Sequence, residues 1–188
     1  ASWHPPSSPP SRAGASPWLV DVSTSPIGTA TADVERETVA ACHPQGAPYV
    51  LSLADRGEAV SAMATALTHY LLKLNDIAGV LGLGGSGNTA IVTEAMRALP
   101  VGLPKLMLST LASGNVAGYV GPTDITMVHA VVDVAGLNAI SRTVIGNAAH
   151  AMAGMVLNVI EPAPSTASPI GLTMFGVTTT CVSAIRQR

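Results

Sequence analysis

Charge is scarce in this chain. Asp, Glu, Lys and Arg make up 11% of its 188 residues, where an ordinary soluble domain carries roughly 25%. Such a chain has little charge with which to cover a complete surface. Part of its apolar surface is therefore expected to face a partner, and a homo-oligomer is the simplest such assembly. The net charge of −2 and an isoelectric point near 6.2 exclude the basic footprint of a nucleic-acid-binding protein. Aromatic residues amount to 3%, which leaves the core to Ala, Val, Leu, Ile and Met. Two cysteines are present, Cys42 and Cys181, far apart in sequence. They exclude a disulfide framework, their spacing does not suit zinc, and as reduced thiols they fit a cytoplasmic location. No apolar run reaches the roughly 18 residues that a membrane span needs. The opening ASWHPPSSPPSRAGASP lacks the apolar stretch of a signal peptide.

What is present is a hydrophobic fraction of 48%, enough for one sizeable core and too much for a disordered chain. Residues 1–17 are rich in Pro and Ser and read as a disordered or irregular segment. From Trp18 the pattern changes: WLVDVS is a short strand, and residues 33–42 suit a short helix. Asp55 and Glu58 have capping-box spacing ahead of Val60, Met63, Ala64, Leu67, Leu71 and Leu74, which recur at three and four residues and predict an amphipathic helix. IAGVLGLG, PKLMLST and ITMVHAVVDV read as buried strands, with a helix NTAIVTEAMRAL between the first two and another, Leu137 to Val156, after the third. That last helix is expected to turn Ile140, Val144, Ile145, Ala148, Met152 and Met155 inward. Strands that are apolar throughout and alternate with helices predict an α/β fold, a doubly wound and mostly parallel sheet with flanking helices, over residues 18–160. Residues 161–169 read as a linker. Residues 170–188 read as the first strand, 170–177, and the first helix of a truncated second α/β lobe, with Val182 and Ile185 packed and Arg186 and Arg188 in solvent.

In open α/β sheets ligands bind beyond the carboxyl ends of the strands. Three such ends are visible: residues 82–89, residues 109–115 and residues 133–138. The first, Gly82-Leu83-Gly84-Gly85-Ser86-Gly87, satisfies G-x-G-x-x-G between a strand and a helix, the setting in which backbone N–H groups and a helix dipole receive an anion. Ser86, Asn88 and Thr89 add side-chain donors. The acidic residue expected about 20 positions later for a dinucleotide ribose is missing, and no Lys-Ser/Thr pair follows the glycines as in a Walker loop. The alternative to anion binding is a tight turn that only packs a helix against a sheet. Gly84-Gly85-Ser86-Gly87-Asn88 also approaches a nucleophile elbow, with Asp124 or Asp133 and then His150 in order, although Asn88 stands where the last glycine belongs. Asp133 is the most conspicuous carboxylate, and either a ligand contact or a cap on the helix near Leu137 would explain it. No histidine has metal-ligand spacing, so no metal site is expected from the residues themselves.

The motifs GLGGSG, LPVGLPK, the LST-ASG loop, VGPTDIT, DVAGLN and ISR-VIGNAA occur in that order. Together they resemble the ATP-binding domain family of the tomato mosaic virus resistance protein, a largely uncharacterised bacterial and plant family. The resemblance covers most of residues 18–188. It implies a two-lobed α/β fold, ATP and Mg as ligands, and dimerisation. By the matched motifs, Gly84, Gly85, Ser86, Gly87, Asn88 and Thr89 would face the phosphates, with Ser109, Thr110, Ser113 and Gly114 lining the neighbouring loop. The chain departs from the family at its start. That family opens with a strand and a Gly-Thr-x-Asp-Thr-Lys loop at the nucleotide pocket, and residues 1–17 hold no trace of it. The expectation is a nucleotide-binding α/β domain. A small-molecule hydrolase using Ser86, or a structural or interaction domain with a degraded pocket, are the alternatives.

Overall fold

The computed structural model describes residues 16–25, 31–133, 136–158, 160, 174 and 176–186. The strand expected at Trp18 is reduced to a single parallel bridge between Val20 and Val34, held by Asp21 N donating to Val34 O at 2.9 Å. Two short helices follow, α1 (Arg36–Ala40) and α2 (Gly46–Ser52). The second was not evident in the sequence, since its one buried side chain, Val50, makes no periodic pattern.

Helix α3 (Arg56–Leu72) begins where expected, with the Asp55 carboxylate accepting from Glu58 N at 2.9 Å. A parallel sheet then forms from β1 (Val80–Gly84), β2 (Lys105–Ser109) and β3 (Thr126–His129), in the order β1-β2-β3. Leu81 pairs with Leu106, and Met107 with Met127. Helix α4 (Ser86–Arg97) joins β1 to β2, the four-residue α5 (Ala117–Val120) lies between β2 and β3, and α6 (Ala139–Leu157) follows β3.

The central strand β2 is buried along its whole length and divides the interior in two. Met107 faces the larger cluster, in which Met63, Leu67, Ile91 and Met96 of α3 and α4 pack with Val34 and Val39. Helices α3 and α4 pack against each other, and Ala59, Ala62, Ala64, Ala66 and Ala95 on them are buried. Leu106 and Leu108 face the smaller cluster, with Ala130 and with Ala148 and Met152 of α6. Helices thus cover both faces of a parallel sheet, as the apolar strands required.

The packing of α6 departs from its apolar pattern. Ala148 and Met152 are buried and Val144, Ile145 and Met155 are half-buried, but Ile140 is 51% exposed. The helix starts on Asn138, whose side chain accepts from Ile140 N and Ser141 N at 2.9 Å while Ser141 Oγ accepts from Asn138 N at 2.8 Å. That reciprocal cap fixes the first turn at its own loop, and Ile140 in that turn is left in solvent. Of the expected strand 170–177, residues 170–173 and 175 lie outside the described residues. Gly176–Thr178 form a 3-10 turn and lead into α7 (Thr179–Arg186). Ile185 of α7 is exposed, contrary to the expected packing, while Val182 is half-buried. Among the described residues no helix is long and apolar enough to cross a membrane.

Candidate functional site

The carboxyl ends of the three strands open into a cleft of about 640 Å³, a size in the usual range for small-molecule sites, roughly 300–1,000 Å³. One wall is the turn from β1 into α4. A Cβ on Gly82 would lie 2.5 Å from Met107 Sδ and 2.7 Å from Val92 Cγ1, and a Cβ on Gly84 would lie 2.5 Å from the Cβ of Asn88. These two glycines are therefore required by the packing of α4 on the sheet, whatever else the loop does. Gly85 differs: a Cβ there meets nothing closer than Thr110 Oγ1 at 3.7 Å. It lines the cleft with Gly84, Ser86, Gly87 and Asn88.

Gly85 is also the N-cap of α4, and it brings no capping side chain. Thr89 N makes the first intrahelical bond, to Gly85 O at 2.9 Å. The N–H groups of Ser86, Gly87 and Asn88 precede it and have no acceptor within the helix. Asp55 caps α3 and Asn138 caps α6, so α4 is the long helix whose positive end is left to the cleft.

The remaining expected residues divide by position. Thr110 lines the cleft, and its N–H donates to Gly84 O at 3.2 Å. Thr89 and Ser109 are fully buried behind the loop, with their hydroxyls 2.6 Å apart. Thr89 Oγ1 donates to Gly85 O at 2.7 Å, and Ser109 Oγ accepts from Leu111 N at 3.0 Å. Both hydroxyls thus tie α4 to the end of β2 from inside. Ser113 and Gly114 are exposed in the turn after β2 and are not part of the cleft wall. Asp133 lines the cleft and is not the cap of α6, which is Asn138.

Of the expected partners of a nucleophile elbow, Asp133 shares the cleft with Ser86, but Asp124 and the base His150 do not. Asp124 is bound to Lys105 at the opposite end of β2, with Nζ 2.8 Å from Oδ1. His150 is an exposed residue of α6 and is not on the cleft. Among the described residues no group of three His, Cys, Asp or Glu side chains could hold a metal ion.

Arg56, His129 and Val131 are cleft residues without a signal in the sequence. Arg56, the first residue of α3, is carried to the start of α4 by the packing of those helices. Its Nη2 lies 3.7 Å from the place a Gly87 Cβ would take, and it forms no ion pair with another described residue. It supplies the cation that the glycine loop itself lacks. His129, the last residue of β3, reaches the opposite wall. Val131, two residues further on, has φ of 66°, inside a three-residue γ-turn closed by Val132 N donating to Ala130 O at 2.7 Å. A β-branched residue in that region is strained by ~1–3 kcal/mol.

The chain matches an uncharacterised protein family, the UPF0261 N-terminal domain, over residues 10–161. It is 53% identical over 178 residues to a UPF0261 protein of Rhizobium meliloti, covering 94% of this chain and 44% of the relative. It is 42% identical over 183 residues to a ToMV resistance protein of Solanum lycopersicum, covering 90% of this chain and 24% of the relative. The ToMV susceptible protein of the same plant matches at the same 42% over the same coverage, so likeness to this domain does not track resistance. The chain spans less than half the length of these curated relatives.

Proposed function

The chain belongs to the UPF0261 family, and from that premise we propose that its cleft binds a nucleotide, with ATP as the ligand. The observation that carries this reading is the uncapped start of α4, whose free N–H groups, helix dipole and neighbouring Arg56 guanidinium converge on one cleft. A phosphate group satisfies all three at once: its oxygens accept from the backbone, and its charge is matched by the dipole and by Arg56.

Arg56 stands in for the lysine of a Walker loop. It comes from another helix, so no motif around the glycines announces it. Gly85 and Gly87 leave room for the ligand to reach the backbone, while Thr89 and Ser109 hold the turn in place from behind. Magnesium is bound in many nucleotide sites by phosphates and one or two carboxylates. Here Asp133 is the cleft carboxylate that suits that part, and the ion would arrive with the nucleotide.

Calorimetric titration of the full chain with ATP and magnesium tests the reading. Saturable binding is expected, weakened at least tenfold by Arg56→Ala and abolished by Gly85→Val, with Ser86→Ala close to wild type. Binding that survives Gly85→Val unchanged would leave the loop a purely structural turn.

A further inference from the structure

We infer that Val131 is a specificity-determining residue of the cleft, selecting a phosphate ester that carries a flat ring over bare polyphosphate. The inference rests on the phosphate reading of the Gly85–Asn88 turn and extends it to the other end of the ligand.

The starting point is an unexplained side chain. Val131 has a left-handed backbone, φ of 66°, which a β-branched residue adopts only under constraint. The classic γ-turn it forms is rare and strained. Burial does not compensate, because Val131 is 59% exposed. Glycine or asparagine would form this turn more readily, and folding alone gives no reason for valine. The turn instead sets an isopropyl group on the cleft wall, beside the half-buried Val132.

Sheet order supplies the distance. The glycine turn leaves β1 and the γ-turn leaves β3, with β2 between them. Two strand spacings separate them, about 10 Å. A phosphate held at the start of α4 is too small to touch Val131. A nucleoside triphosphate bound at the same place spans the gap and brings its base to the apolar wall. Leu83, 39% exposed at the end of β1, gives the cleft a second apolar surface. A ring is the occupant that suits such walls: it buries apolar area on two sides and loses little conformational entropy.

The test compares ATP with tripolyphosphate on this 188-residue chain by calorimetry, in wild type, Val131→Asn and Val131→Leu. Asparagine accepts the left-handed backbone and removes the apolar group. Wild type should bind ATP more tightly than tripolyphosphate. Val131→Asn should weaken ATP about tenfold, leave tripolyphosphate unchanged and raise the melting temperature by relieving the turn. Val131→Leu should keep the preference for ATP. An asparagine variant that binds ATP like wild type, or that weakens both ligands equally, overturns the inference. If wild type binds both ligands equally well, the ring contact is absent and the phosphate reading stands. If wild type binds neither, both readings fall.

Discussion

The two ends of the central strand solve opposite problems. At its amino end, Lys105 is fully buried, and its ammonium donates to Pro100 O at 2.7 Å, Leu103 O at 2.9 Å and Asp124 Oδ1 at 2.8 Å. Asp124 Oδ2 in turn accepts from Gly102 N at 2.7 Å. The three donors of that ammonium thus all find acceptors, and two loops are pinned beneath the sheet. At the carboxyl end the balance is reversed. Backbone donors at the start of α4 are uncapped, Arg56 forms no ion pair with a described residue, and Val131 holds a strained backbone. In a chain with so few charges, the placement of each one is informative. A charge with all its bonds made inside the fold is structural, and one left open on a cleft points to a ligand.

The largest effect expected from this contrast is at the closed end. Lys105→Ala should lower stability by about 3 kcal/mol, the low end for breaking a buried pair, because Asp124 keeps contact with water. Urea denaturation measures this, and ATP affinity below the melting transition should not change. A loss under about 1 kcal/mol would mean the pair is no better than a surface contact, and the contrast between the ends would collapse.

A smaller effect separates two glycines of one motif. Gly82→Ala forces a Cβ to 2.5 Å from Met107 Sδ and should cost roughly 1–3 kcal/mol by overpacking. Gly85→Ala, with 3.7 Å of clearance, should fold with wild-type stability and alter only ligand binding. Thermal melts of the two variants decide this. Equal destabilisation would show that Gly85 is structural as well.

The smallest effect is in acid. The hydrogen bond from Lys105, followed by that from Gly102 N–H, holds the Asp124 carboxyl below its ordinary value. A folded-state value below the unfolded one, about 3.9, stabilises the fold at neutral pH. That contribution is lost as pH falls below about 4 and through the depressed value. Asp124 is 37% exposed, so water screens the effect to about 1 kcal/mol or less. Stability measured from pH 6 to pH 2 should fall less steeply for Asp124→Asn than for wild type, and parallel curves would remove Asp124 from the acid response.

Much of this architecture was legible in the sequence, and the reason is range. The Asp55 cap, the three apolar strands and the glycine turn are each specified by residues within a few positions of one another, where hydrogen-bond geometry and side-chain period act directly. The parallel class followed from strands apolar on both faces. The reading faltered where a residue's surroundings come from elsewhere in the chain. Ile140 fits the apolar pattern of α6, yet it is exposed in the first turn of that helix. Thr89 and Ser109 look like ligand donors and are instead bonded to each other across α4 and β2.

By itself the sequence determined the α/β class, the order of the three sheet strands and of the long helices α3, α4 and α6 around them, and the place of the glycine turn at a strand end. Tertiary structure alone decided which groups share the cleft. Arg56 reaches the turn because α3 packs on α4, and His129 and Val131 reach the far side of the cleft because β3 joins the sheet beyond β2. It also decided that Lys105 meets Asp124, and that Gly82 serves packing while Gly85 stays open. The physical reason is that local pattern records which face of an element is apolar, whereas a site is assembled from element ends that only packing brings within bonding distance.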